Sequence, residues 1–260
     1  MIKLKHLLNE TLDESVNDRN IFKAVFLAGG PGSGKGFILT GLTGGGSISP
    51  FGAKVVNSDT FFEYLLNKNN LPLVMNTSSD IYPQQMAMRS RAKSLASNQF
   101  FQIVNGCLPV FIDGTGSDVD KIKMTSENLR NLGYDTRMVF VNTALETALK
   151  RNQKRARKVP TEVVTQKWNE VQNNIGALQS YFGNQNMIIV DNNVEYTSES
   201  EEYKDLVLQL FRQGKRLLES PLKNPIGRKL IQLMKQEGVA YLSDLSIGSE
   251  LSTFMGGLKP

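Results

Sequence analysis

The stretch GGPGSGKG, residues 29–36, carries the residue types that hold phosphate. Glycines let the backbone curl so that successive N–H groups face one point. A lysine adds a cation for the β- and γ-phosphates of a nucleotide. The spacing fits G-x-x-x-x-G-K-[ST] at every position but the last, where Gly36 stands and Phe37 follows. Gly36 removes a hydroxyl that usually meets Mg²⁺. That ion keeps several waters and takes few protein ligands, so phosphates, water and an outer carboxylate can still hold it. The expected contacts to the nucleotide, read as ATP with GTP as the alternative, are Gly30, Pro31, Gly32, Ser33, Gly34, Lys35, Gly36 and Phe37.

Two aspartates have the placement of working carboxylates. Asp59, in KVVNSDTFFEYLL (54–66), follows a β-rich run and opens a helical pattern. A carboxylate there can take the proton of an attacking hydroxyl, with Ser58 assisting. Thr60 and Glu63 read as a capping box, which would leave Asp59 free to face a cleft. Asp113 ends the apolar run of VFIDGTG (110–116) and suits a metal-bound water; Thr115 is a candidate substrate contact. The segment LKRNQKRARKVP (149–160) places six Lys or Arg within residues 150–158. Arg151 and Arg155 share a helix face and Arg157 lies just beyond, an arrangement suited to a lid over phosphates. A solvated basic face or a nucleic-acid patch is the rival reading. Arg89, in QQMAMRSRAKS (84–94), is a candidate for an acceptor's phosphate or an ordinary surface arginine.

What is missing narrows the chemistry. No Glu follows Asp113, so the usual water-activating base of motor-type ATPases is absent. NKNN (67–70) lacks the Asp of a guanine-reading N-K-x-D segment, and D-x-x-G at 113–116 is weak alone. These features favour transfer to a substrate over hydrolysis. One histidine, His6, makes Ser-His-Asp chemistry and multi-histidine metal sites untenable. One cysteine, Cys107, cannot close an internal disulfide and reads as a packing residue, so a reducing cytoplasmic setting is expected. A net charge of +5 suits polyanionic partners, small phosphorylated or hydroxyl-bearing substrates and nucleic acid alike. No apolar run reaches the roughly 18 residues of a membrane span.

These residues need a scaffold, and the periodicity supplies one. β-rich runs fall at 22–28, 54–57, 110–113, 137–141 and 187–191. Helical patterns lie near 35–42, 60–68, 81–104, 118–132, 143–156, 161–182, 199–219 and 226–237. Alternation of strands with helices predicts an α/β chain: a three-layer αβα P-loop NTPase fold with a five-stranded parallel sheet covered on both faces. Ligands of such sheets sit at the carboxyl ends of the strands, where Gly29, Asp59 and Asp113 all fall. Residues 1–20 read as an amphipathic arm with Ile2, Leu4, Leu7, Leu8 and Leu12 on its apolar side. Residues 21–220 form the catalytic unit and 221–260 a helical extension; arm and extension are the expected places for a protein partner. Residues 41–52 read as a linker. Trp168, at helical spacing with Val164, Val171 and Ile175, reads as core.

Together FLAGGPGSGKG, VVNSDTFF, VFIDGTG and VNTALETALKRNQKRARKVPTEVVTQKWNEVQ resemble the zeta-toxin-like branch of phosphate-loop kinases, which borders the polynucleotide kinases. The resemblance spans about residues 21–191. It implies γ-phosphoryl transfer from ATP or GTP to a small molecule or a nucleic-acid end. It also implies Asp59 as base, Lys35 on the phosphates and lid arginines drawn from Arg151, Arg155 and Arg157. The G-K-G order resembles adenylate-kinase-type loops, where Thr typically follows; Phe37 stands there instead.

Overall fold

The structure, a computed structural model, describes residues 20–45, 49–155, 159–197 and 199–258. The arm, the linker's centre, His6 and Arg157 lie outside the described residues.

Five strands form one parallel sheet in the order β2-β3-β1-β4-β5. They are β1 (Lys23–Ala28), β2 (Lys54–Val56), β3 (Val110–Asp113), β4 (Asp135–Asn142) and β5 (Met187–Asp191). The helices are α1 (Lys35–Thr43), α2 (Ser58–Lys68), α3 (Tyr82–Asn105), α4 (Val119–Asn131), α5 (Leu145–Lys154), α6 (Thr161–Phe182), α7 (Glu201–Glu219), α8 (Pro225–Glu237) and α9 (Gly248–Gly256). This is the expected three-layer αβα arrangement.

The layers follow from side-chain alternation along each strand. In β1, Ala24, Phe26 and Ala28 join one hydrophobic cluster, while Val25 and Leu27 join another. Both sets are buried, which is why the central strands read as unbroken apolar runs. Helices α1 and α7 cover the second face with Ile38, Leu42, Leu210 and Leu218. Helices α3, α4 and α6 cover the first with Phe100, Leu129, Leu178 and Phe182. Leu230 and Met234 of α8 and Leu251 and Met255 of α9 belong to that same cluster, so the C-terminal segment spends its apolar side on the core. Cys107 is buried there too, and burial pushes its thiol pKa up, away from reactivity.

A smaller cluster of Phe62, Leu65, Leu66 and Ala92 joins α2 to α3. It builds a two-helix unit beyond the carboxyl end of β2. In the segment between α1 and β2, Phe51 and Ala53 are buried against the α1–α7 face, so part of that linker is anchored. Residues 242–244 form a short 3₁₀ turn leading into α9.

Candidate active site

The loop between β1 and α1 runs over Gly29–Gly34, and α1 starts at Lys35 with no side-chain cap. Its first N–H groups therefore remain open for an anion. Gly32 and Gly34 have φ of 80° and 81°, the left-handed region. A Cβ on Gly32 would run into the Ala148 carbonyl, and one on Gly34 into the Asn192 amide. Only glycine lets the loop sit this close to its surroundings. Three contacts fix the curl. Thr143 Oγ1 and Asn192 Nδ2 donate to Ser33 O at 3.1 and 2.8 Å, and Gly29 N donates to Thr115 O at 3.0 Å. Trp168 is half-buried, and its indole N–H donates to Thr143 O at 2.6 Å. Its backbone lies against Gly30. The tryptophan, expected in the core with Val164 and Val171, belongs to no hydrophobic cluster among the described residues and instead walls the loop from α6.

Lys35 folds back and donates from Nζ to Gly29 O. Burial lowers its pKa; Asp113 and Asp59 act to raise it, and Arg155 lowers it further. Asp113 is its counterpart. Burial raises the carboxyl's pKa, Lys35 pulls it back down, and Asp59 adds to the rise. The two carboxylates and the lysine therefore share one electrostatic site, with strongly desolvated groups of both signs.

Asp59 sits in the first turn of α2. The cap is not Thr60, as the capping-box spacing suggests. Asn57 is the capping residue: its Oδ1 accepts from Asp59 N at 2.7 Å. The cap lies three residues earlier than the Thr60 pattern implies, because Asn57, just past β2, is extended and suits the cap position. The Asp59 carboxylate is ion-paired with Arg89 of α3, whose guanidinium also lies over the Phe62 ring at 5.1 Å. Arg89 is thus at the site, not an isolated surface arginine.

Asn57 does a second thing: its Nδ2 donates to Asp113 Oδ2 at 2.7 Å. The other oxygen of Asp113, Oδ1, is buried and finds no donor among the described residues. A buried carboxylate oxygen left open beside a lysine and an anion-ready loop suits a hard divalent cation and its water. The residues present therefore fit a nucleotide triphosphate with Mg²⁺.

The remaining expected residues are spread around this centre. Thr115 is exposed, with Oγ1 2.8 Å from Ser117 Oγ; Ser58 opens α2 beside Asp59. Gly36 is exposed, and Phe37 packs by the Tyr203 ring at 5.6 Å. Arg151 is tethered: its two terminal nitrogens donate to Asn192 O at 2.7 Å and Val194 O at 3.1 Å. Arg155 lies just past α5 in an extended conformation and is exposed, so it does not share a helix face with Arg151 as its spacing suggests. The basic segment is closed by Asn152, which exchanges two hydrogen bonds with the Val159 backbone, at 2.7 and 3.1 Å. Asn57, Thr143, Asn152 and Asn192 escaped the sequence reading. Asn57, Thr143 and Asn192 each stand within a residue of a strand's carboxyl end, the one available signal.

A family model described as Zeta toxin matches residues 9–201. The chain belongs to the zeta-toxin family. This member is thus a kinase-type phosphotransferase by family. Solved structures with weaker overall likeness include one from the PezAT toxin–antitoxin system of Streptococcus pneumoniae, at 14% identity and TM-score 0.45, covering 81% of this chain and 95% of that one. The AvrRxo1-ORF1:-ORF2 complex matches at 14% identity and TM-score 0.48, over 97% and 88% of the two chains. Shikimate kinase from Acinetobacter baumannii, in complex with shikimate, matches at 13% and 0.40, over 78% and 96%. No curated protein matches the chain.

Proposed function

We propose that this zeta-toxin family member moves the γ-phosphoryl group of ATP to a hydroxyl of a small acceptor: a nucleotide, nucleoside or sugar nucleotide. The observation that carries the reading is the convergence of Lys35, Asp113 and the Arg89-paired Asp59 at one end of the sheet. Water-activating ATPases need a base for water. Here Asp59, in the first turn of α2 and paired with Arg89, is the carboxylate this reading gives to a substrate hydroxyl.

In this reading the glycine loop and Lys35 bind the phosphates. Asp113, with its open buried Oδ1, would hold Mg²⁺ through water, and the chemistry such an ion would supply is neutralisation of charge on the transferring group. Asp59 orients the acceptor hydroxyl and takes its proton, with Ser58 and Thr115 lining the acceptor side. Arg89 meets an anionic group of the acceptor, which would draw it off Asp59 and leave the carboxylate to work as a base. Arg151 supports the phosphates from its fixed place beside Gly34, and Arg155 is the next arginine of the basic segment given to them; Arg157 lies outside the described residues. No described helix is long and apolar enough to cross a membrane; the cytoplasm is the proposed setting.

The test is a metabolite extract incubated with γ-labelled ATP, beside separate oligonucleotide, nucleoside and sugar-nucleotide arms. Label on a small metabolite supports the proposal. Label only on oligonucleotide 5′ ends would replace it with a polynucleotide kinase. ATP binding with no transfer to any acceptor would leave a nucleotide-binding assembly protein.

A further inference from the structure

The register of the sheet brings two working carboxylates under the control of one amide. Val56 of β2 pairs with Ile112 of β3, so the next residues, Asn57 and Asp113, lie side by side as their strands end. The two hydrogen bonds of Asn57 use opposite ends of its side chain. Oδ1 accepts from Asp59 N, and Nδ2 donates to Asp113 Oδ2, both at 2.7 Å. The amide has no freedom to flip, because the Asp59 N–H needs an acceptor and the Asp113 carboxylate needs a donor. Occupying Oδ2 leaves Oδ1 as the open, buried oxygen of Asp113.

Resting on the phosphotransfer reading, the geometry points to Asn57 as a positioning residue: its amide aims the open oxygen of Asp113 at the metal position and fixes the helix turn that carries Asp59 at a set distance from it. Asn57 itself touches neither nucleotide nor acceptor. Its effect runs through the hydrogen-bonded outer shell of a metal-binding carboxylate, where losing such a partner typically lowers metal affinity about 10–100-fold.

Asn57→Ser separates the two bonds. Serine is as good a helix cap as asparagine, but its shorter side chain cannot also reach Asp113. Asn57→Asp keeps the cap and sets a second carboxylate against Asp113, a like-charge contact. The full chain is titrated with ATP by calorimetry in EDTA and in Mg²⁺, with thermal unfolding alongside. ATP affinity in EDTA should stay near wild type in Asn57→Ser, while the melting temperature falls modestly because Asp113 Oδ2 loses its donor. The gain in affinity on adding Mg²⁺ should fall about tenfold, and further in Asn57→Asp. In an Asp113→Asn background, Asn57→Ser should change that gain no further.

Equal loss of ATP affinity with and without Mg²⁺ would show Asn57 to be only a structural cap and overturn the inference. So would an unchanged Mg²⁺ gain in Asn57→Ser while wild type binds ATP, leaving the phosphotransfer reading intact. A wild-type chain that binds no ATP in either condition would sink that reading and this inference together.

Discussion

Two desolvated lysines, one opening β1 and one in the helix that follows its carboxyl end, meet opposite fates. Lys23 enters the strand with its side chain 1% exposed and pairs with Asp135 at 2.7 Å. The partner is complete: Asp135 also accepts the backbone N–H groups of Lys223 and Asn224, at 2.9 and 2.8 Å. Lys35, seven residues past the end of β1, is as strongly desolvated but has a loop carbonyl as its hydrogen-bond partner and carboxylates only at a distance. At the first end burial lowers the Lys23 pKa as well, but a direct ion pair with Asp135 acts against it, and the result is a staple between β1, β4 and the turn before α8. At the second end Lys35, Asp113 Oδ1 and the open N-terminus of α1 await an outside partner. A desolvated ionic group satisfied by the fold serves the fold; one left open is, in the proposed reading, available to a ligand.

Paired substitutions at the two lysines should break the symmetry in opposite ways. Lys35→Met should cut phosphoryl transfer by about 10²–10³-fold, the usual loss for removing one charge-stabilising donor, while leaving urea stability unchanged or slightly raised. Its pH signature has a defined sign. The folded-state pKa of Lys35 lies below the usual 10.5, so the unfolded chain binds more protons between the folded value and 10.5. The penalty from Lys35 is full below the folded pKa and is relieved as pH rises through that window. Lys35→Met should lack this alkaline rise relative to wild type in urea titrations. A steeper rise in the variant would contradict the assignment of Lys35 as an under-paired buried cation.

Lys23→Met should do the reverse. It leaves Asp135 as a half-compensated buried carboxylate, and about 3 kcal/mol of stability should be lost in urea unfolding. Transfer by the remaining folded protein should be near wild type. A large activity loss without destabilisation would erase the contrast between the two ends.

The smallest effect is expected at Gly36. A Cβ there meets nothing within 4 Å, so Gly36→Ser should fold and gain about 0.5 kcal/mol from helix propensity. The added hydroxyl stands where such loops usually offer a metal ligand, so half-saturation by Mg²⁺ should move lower in the transfer assay. A higher Mg²⁺ requirement would show that the metal avoids this side of α1.

The contrast between the lysines also explains what the sequence could and could not disclose. Strands β3 and β5 fall where their apolar runs predict, 110–113 and 187–191, because burial leaves a continuous mark. Strand β4 runs longer, from Asp135 to Asn142, since its polar ends pair in the ladder without contributing to hydrophobic pattern. The helix over Gly248–Gly256 was not read at all: few of its residues are apolar, and Leu251 and Met255 matter only through the core they join. The glycine loop, Lys35, Asp59 and Asp113 were legible because their chemistry is written in local motifs. Lys23 was hidden inside an apolar run, since its meaning depends on Asp135, its register partner on β4. Asn57 and Asn192 were hidden for the same reason. Their partners lie 56 and 159 residues away and become neighbours only through the strand order.

The most direct test of the open end as a reaction centre is Asp59→Asn, assayed with γ-labelled ATP and the acceptor found in the extract screen. The substitution preserves shape and the backbone N–H that Asn57 caps. The variant should keep its melting temperature and its ATP affinity, and transfer should fall by about 10²–10⁴-fold, the usual worth of a general base. Undiminished transfer by a folded Asp59→Asn protein would contradict the account and move the base elsewhere.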